Sequence, residues 1–133
     1  MIVVDTNLLV YLYIAGQRTP QAEAVLGRDP VWAAPLLWRS EFRNTLAGLA
    51  GRRALPLEDA LRIIHDAERW MAGREYSVAS DQVLHLAVRS RCSAYDCEFV
   101  SLAQDLGVRL VTADRQVLAA FPSTAVAPEA FVA

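Results

Sequence analysis

Short β-branched runs alternate with longer helical stretches along the chain, and no tight hairpin signal joins any two of the runs. Strands separated by helices pair side by side only through crossover connections, which are right-handed in nearly all known cases. The pattern therefore predicts an α/β fold with a central, mainly parallel sheet flanked by helices. Ile2-Val3-Val4 reads as the first strand, Asp5-Thr6-Asn7 as a turn, and Leu8, Leu9, Leu12 and Tyr13 as the apolar side of a helix. Thr19-Pro20 reads as an N-cap and first helical residue, with the helix ending near Leu26. A second strand is expected at Val31–Ala34 and a helix from Pro35 with Phe42, Leu46 and Leu49 inward. The turn from Arg52 to Pro56 marks a helical hairpin, and Ala60, Leu61, Ile64, Ala67 and Met71 form the apolar stripe of the longest helix. A third strand is expected at Glu75–Val78, a helix capped by Ser80, and another from about Ala94 to Leu106 closed by Gly107. Val108–Thr112 and the weaker Thr124–Val126 complete the set of strands.

With 133 residues, 54% of them hydrophobic and 21% charged, the chain is expected to form one domain over residues 1–133 around a packed core. The uncharged stretch from Thr6 to Gln17 is too short to span a bilayer, and Asp5 stands where a signal peptide would be basic, so a cytoplasmic location is expected. Cys92 and Cys97 make one C-x4-C pair without a histidine cluster, which reads as two reduced structural thiols. All thirteen basic residues are arginine. A chain without lysine has neither the lysine of a phosphate-binding GxxxxGK[ST] loop nor an amine for Schiff-base chemistry. The net charge of −2 does not exclude nucleic acid, because phosphate binding follows local charge.

The carboxylates carry the remaining information. In an open parallel sheet the reactive crevice lies beyond the carboxyl ends of strands where the strand order reverses, and both Asp5 and Asp114 stand at strand ends. Each also has an ordinary explanation as a turn or helix-cap residue. Glu41, mid-helix beside Arg39, Arg43 and Asn44, fits a solvated ion-pair face. Asp96 completes the capping-box spacing that starts at Ser93. Taken together, Asp5, Glu41, Asp96 and Asp114 are two acids at strand ends and two on helices that can converge on one rim. Converging carboxylates repel, so they need a cation or raised pKa values. An all-oxygen set suits Mg²⁺ or Mn²⁺, whereas His65 and His85 lie on helical patterns without metal-ligand spacing.

The opening Ile2-Val3-Val4-Asp5-Thr6-Asn7, Glu41 in Trp38-Arg39-Ser40-Glu41 followed by Asn44, Tyr95-Asp96, and Leu110-Val111-Thr112-Ala113-Asp114 resemble the PIN-domain ribonucleases, and within them the VapC toxins of bacterial toxin–antitoxin pairs. The likeness spans nearly the whole chain, and the order and spacing of all four acids agree. It implies a PIN-like α/β/α fold and a Mg²⁺- or Mn²⁺-dependent endoribonuclease leaving 5′-phosphate and 3′-hydroxyl ends. It also implies Asp5, Glu41, Asp96 and Asp114 as catalytic metal ligands, with Thr6, Asn7 and Thr112 as neutral polar support. A VapB-type antitoxin and a homodimer are the partners implied.

Arg39, Arg43 and Arg115, with Arg52 and Arg53, are the candidates for an RNA path, against plain surface solvation. Trp32, Trp38 and Trp70 read as packing residues rather than base-stacking ones. The segment from Leu8 to Ile14 is apolar over more than one stripe, so part of it is expected either to face another chain or to be buried on all sides. Two competing readings exist. A haloacid-dehalogenase-like phosphatase also starts with an Asp after its first strand, but Asp5-Thr6-Asn7 lacks the second Asp of that motif. A silent PIN-like binding module would not need the complete acidic set.

Overall fold

The computed structural model describes residues 1–133. Five strands, β1 (Ile2–Val4), β2 (Trp32–Pro35), β3 (Glu75–Tyr76), β4 (Leu110–Val111) and β5 (Ala125–Val126), form one sheet in the order β3-β2-β1-β4-β5. Every neighbouring pair is parallel. Strand order reverses between β1 and β4, so the crevice expected of such a sheet opens beyond the carboxyl ends of these two strands. Their register pairs Val3 with Leu110 and Val4 with Val111, and Asp5 N–H continues the ladder to the Val111 carbonyl at 3.2 Å. Asp5 is thereby set beside Thr112.

Helices fill the crossovers: α1 (Thr6–Tyr13), α2 (Thr19–Arg28), α3 (Leu37–Gly51), α4 (Leu57–Met71), α5 (Ser80–Ser90), α6 (Ala94–Leu106), α7 (Arg115–Ala120) and α8 (Pro128–Val132). The three central strands are buried, as expected of a parallel sheet covered on both faces. One cluster of 29 buried apolar residues runs through the sheet and the inner faces of the helices. Within it Trp32 and Trp38 are fully buried. Trp38 meets Phe42 edge-to-face at 5.7 Å, and the half-buried Trp70 meets Trp32 at 5.5 Å. The tryptophans pack, as their apolar neighbours predict.

Several boundaries differ from the sequence expectation for local reasons. Thr19 begins α2 rather than capping it, because its hydroxyl is used on the preceding loop, donating to the Tyr11 carbonyl at 2.7 Å and accepting the Gly16 N–H. Pro35 ends β2 instead of opening α3, since Ala34 and Leu36 N–H still bond to the β3 segment. Ser80 starts α5 without a side-chain cap, and β3 and β4 are shorter than the apolar runs around them. Helices α7 and α8 carry too few periodic positions to be read from the sequence. Leu8 and Leu9 are fully buried and Val10 to Ile14 pack against the core, because α1 is covered by α2, α3 and α4. Leu8 and Leu9 are thus used inside the domain, while Val10 to Ile14 keep part of their surface exposed. Cys92 and Cys97 are buried and unbridged, and no helix is long and apolar enough to cross a membrane.

One polar network ties α3 and α4 to the sheet edge. Glu75 Oε1 accepts from the buried Trp38 Nε1 at 2.7 Å and from Arg39 Nε at 2.6 Å, while Oε2 accepts from Arg39 Nη2 at 2.8 Å. Arg39 also reaches Glu68 at 3.3 Å. The Arg39 hydrogen bond holds the Glu75 carboxyl below its ordinary value of 4.5. Its stabilising effect is therefore present above about that pH and lost as the pH falls further. Glu75→Ala leaves the Trp38 indole N–H buried without an acceptor and is expected to lower the unfolding free energy by about 3 kcal/mol at pH 7, with a smaller difference at pH 3, measured by urea titration.

Candidate active site

Four elements deliver four carboxylates to one cavity of about 290 Å³, lined by Asp5, Glu41, Asp96 and Asp114 together with Thr6, Asn7, Asn44, Thr45 and Thr112. Asp5 and Asp114 arrive from the ends of β1 and β4, Glu41 from the second turn of α3, and Asp96 from the first turn of α6. The cap and cavity roles of the two strand-end acids coexist. Asp5 Oδ1 accepts the Leu8 N–H at 3.1 Å as the N-cap of α1, while Oδ2 accepts the Thr112 hydroxyl at 2.6 Å. Asp114 Oδ1 caps α7 through the Val117 N–H at 3.0 Å, which leaves Oδ2 without an intramolecular partner.

The hydroxyls lock the acids. Buried Thr6 donates to Glu41 Oε1 at 2.6 Å, linking α1 to α3. Thr112, also buried, donates to Asp5 and accepts the Asp114 N–H at 3.1 Å, so one side chain sets the spacing between both strand-end acids. Ser93 caps α6 by accepting the Asp96 N–H at 3.0 Å. Asn7 lines the same cavity but makes no side-chain hydrogen bond within the chain.

No arginine lines this cavity. Burial, only partly offset by the Thr112 and Leu8 hydrogen bonds, pushes the Asp5 carboxyl from 3.8 up to about 6, with the charge of Asp114 adding to the rise. Glu41 is raised by burial and by Asp96, and Asp96 by burial and by Asp114. These influences run from Asp5 to Asp114, to Asp96 and to Glu41, so the four acids share one field. Such a set calls for positive charge from outside the chain. No three His, Cys, Asp or Glu side chains stand close enough to share one ion as placed. The acidic donors are all oxygens spaced too widely for three to share an ion, which suits a hard cation that keeps most of its waters and takes only one or two carboxylates directly. In donor chemistry the residues fit Mg²⁺ or Mn²⁺.

The other arginine candidates fall elsewhere. Arg39 is committed to Glu75 and Glu68, and Arg43 lies 3.9 Å from Glu68 in the groove between α3 and α4. Arg115 is exposed, follows Asp114 directly and makes no ion pair. Asn44 and Thr45 add to the expected site residues, their positions three and four residues after Glu41 putting them on its helix face. Glu98 is raised by burial and by the charge of Glu41. No sequence signal marks it, because only tertiary packing brings it near α3.

The PIN domain family model matches residues 2–122. The chain belongs to the PIN domain family. It is 26% identical over 125 residues to a protein of Pyrobaculum aerophilum named Ribonuclease VapC3, a match covering 92% of this chain and 95% of that one. Its fold is similar to the crystal structure of PAE2754 from Pyrobaculum aerophilum, with a TM-score of 0.77 at 23% identity over 98% of this chain and 92% of that one. It is also similar to a chain of a toxin-antitoxin complex from Klebsiella pneumoniae, with a TM-score of 0.72 at 19% identity over 96% of this chain and 98% of that one. These likenesses are to the same α/β/α fold.

A raised carboxyl in the native state means that stability falls as the pH climbs from 3.8 to about 6 and stays lower above that, as Asp5 ionises against its surroundings. In chelator at pH 7.5, Asp5→Asn is expected to stabilise the fold by about 2 kcal/mol, and the gain should vanish near pH 4. Thermal unfolding of both proteins across that range checks the sign.

Proposed function

We propose that this PIN domain is a Mg²⁺- or Mn²⁺-dependent endoribonuclease and the toxin of a toxin–antitoxin pair. The observation that carries the reading is the convergence of Asp5, Glu41, Asp96 and Asp114 on a single cavity with no cationic side chain lining it. The ribonuclease name of a relative aligned over nearly the whole chain, and the toxin-antitoxin complex among the structural neighbours, support it.

Asp5, Glu41, Asp96 and Asp114 would hold the ion, one or two of them directly and the others through its waters, and the ion when bound lowers the pKa of a water and offsets the charge that develops on a phosphodiester during its hydrolysis. The chain's own contribution is positioning. Thr6 and Thr112 fix one oxygen each of Glu41 and Asp5, the α1 and α7 caps fix Asp5 and Asp114 from the other side, and the free Oδ2 of Asp114 faces no competing donor within the chain. Asn7 and Asn44 are the side chains lining the cavity that offer N–H donors to phosphate oxygens. His65 and His85 lie outside the cavity, which leaves a histidine acid–base mechanism without its residues.

For the antitoxin, the trough between α3 and α4, floored by Leu46, Leu57, Leu61 and Ile64, suits an apolar segment of a partner. For a second copy in a homodimer, the exposed Leu84 and Val88 on α5 and the part-exposed Val10 to Tyr13 on α1 offer apolar surface. The phosphatase reading has no second Asp after Asp5, and the silent-module reading leaves the acidic cavity without a purpose.

The test is induced expression in bacteria of wild type and Asp96→Asn at equal soluble levels, with growth and 5′-phosphate RNA ends mapped. Growth arrest and new ends in wild type alone are expected. In purified protein, Asp96→Asn should slow cleavage by more than about a hundredfold, beyond the cost of losing a supporting hydrogen bond. Chelator should abolish wild-type cleavage and added Mn²⁺ restore it. Identical RNA ends from both proteins would sink the reading.

A further inference from the structure

A cavity with four carboxylates repels the polyanion it is proposed to cut, so cationic groups outside the cavity must bring the phosphate backbone to it. Most arginines are already engaged. Arg39 and Arg43 face Glu68 and Glu75, and Arg62 and Arg69 pair with acids one turn away on α4. Arg18 and Arg74 lie over the Tyr11 and Trp70 rings, and Arg109 donates to the Thr124 and Ala125 carbonyls. Six remain without a side-chain partner: Arg28, Arg52, Arg53, Arg89, Arg91 and Arg115. Arg28 ends α2, and Arg52 and Arg53 lie about two turns beyond Thr45 at the α3–α4 turn.

Arg91 and Arg115 lie on the segments that carry the acids, Arg115 directly after Asp114 and Arg91 five residues before Asp96. Arg91 is the left-handed C-cap of α5 (φ 64°), and its carbonyl accepts the Gln116 Nε2–H at 3.2 Å. The Cys92 thiol donates to the Gln116 carbonyl at 3.9 Å. These two bonds tie the α5–α6 turn to the first turn of α7, which Asp114 caps and Arg115 begins. From the same turn the chain enters α6, where Ser93 caps the helix and Tyr95 and Asp96 follow. Tyr95 is 64% exposed, next to a cavity carboxylate and without a hydrogen-bond partner. The turn and the start of α7 thus carry two unpartnered, exposed arginines and one exposed aromatic ring on the segments that bear Asp96 and Asp114, outside the lining of the cavity itself. That combination is the one a single-stranded nucleic acid uses, with phosphates neutralised and a base stacked.

We infer that the α5–α6 turn and the start of α7 form the entry path for single-stranded RNA, with Arg91 and Arg115 gripping backbone phosphates and Tyr95 stacking a base next to the scissile position. This deepens the ribonuclease reading and rests on it for the cleavage arm of the test. It also moves the path away from α3, where Arg39 and Arg43 lie against Glu68 and Glu75.

The experiment measures binding of a labelled, mixed-sequence single-stranded oligoribonucleotide by anisotropy, in chelator and over a salt series, and cleavage of total RNA in Mg²⁺. Arg91→Asn, which keeps a residue tolerant of the left-handed backbone, and Arg115→Ala should each weaken binding about tenfold and flatten the salt dependence by about one phosphate contact. Tyr95→Ala should weaken it about tenfold with the salt dependence unchanged, and Tyr95→Phe should bind like wild type. Arg28→Ala, an exposed and unpartnered arginine on α2, serves as the control for general charge loss. In cleavage the rim variants should raise KM with little change in kcat. Binding losses no larger than that of Arg28→Ala, or a Tyr95→Phe as weak as Tyr95→Ala, would overturn the path. Wild type that cuts RNA while all the rim variants bind normally refutes the path and leaves the ribonuclease reading standing. Wild type that binds through the rim but cuts no RNA does the reverse, and wild type that does neither removes both.

Discussion

The parallel pairing of β1 with β4 is the constraint on which the rest of this molecule depends. These strands come from opposite ends of the chain, yet their register sets Asp5 beside Thr112 and closes a hydrogen bond between residues 107 apart in sequence. The order of the sheet reverses at that pair, so the helices that follow the two strands diverge and leave a crevice at their carboxyl ends. A slip of one residue in β4 would turn Thr112 away from Asp5 and separate the two strand-end acids.

Around that pair the fold concentrates like charge against its own electrostatic preference. Asp5, Glu41 and Asp96 are all raised by burial and by a neighbouring acid. Two buried threonines and three helix caps hold the carboxylates in place despite the repulsion, and the 29-residue core supplies the rigidity. The chain keeps arginines out of the cavity and uses several of them structurally, most visibly in the Arg39, Glu75 and Trp38 network on the other side of α3. Cation and acid are thus segregated. In the proposed reading the acids would hold a divalent ion, and of the six unpartnered arginines Arg91 and Arg115 would serve the rim.

Much of this was legible before the fold was known. Strand and helix alternation, the packing of the tryptophans and the two strand-end acids are written in local pattern, because apolar periodicity and abrupt polar switches at strand ends reflect burial directly, whereas Glu41 and Asp96 joined the acidic set through the resemblance to PIN-domain ribonucleases. Boundaries slipped by a residue or two where a side chain or backbone group had a second use, as with the Thr19 hydroxyl spent on the Tyr11 carbonyl and the Leu36 N–H bonded to the β3 segment. The surplus apolar surface of α1 was ambiguous between a partner and the interior, since a sequence records hydrophobicity but not what covers it.

From the sequence by itself follow the α/β class and the parallel sheet, which rest on short-range chemistry, and the four candidate acids, which rest on the order and spacing of motifs shared with PIN-domain ribonucleases. Only the tertiary structure decided which polar residues share their cavity and which arginines are free. Asn44 and Thr45 join the site because α3 turns that face toward the open cavity, Glu98 feels Glu41 across the fold, and Arg39 is consumed by a glutamate 36 residues away. Electrostatic partnership falls off within ångströms in space and has no fixed relation to distance along the chain, so charge availability is settled by the fold.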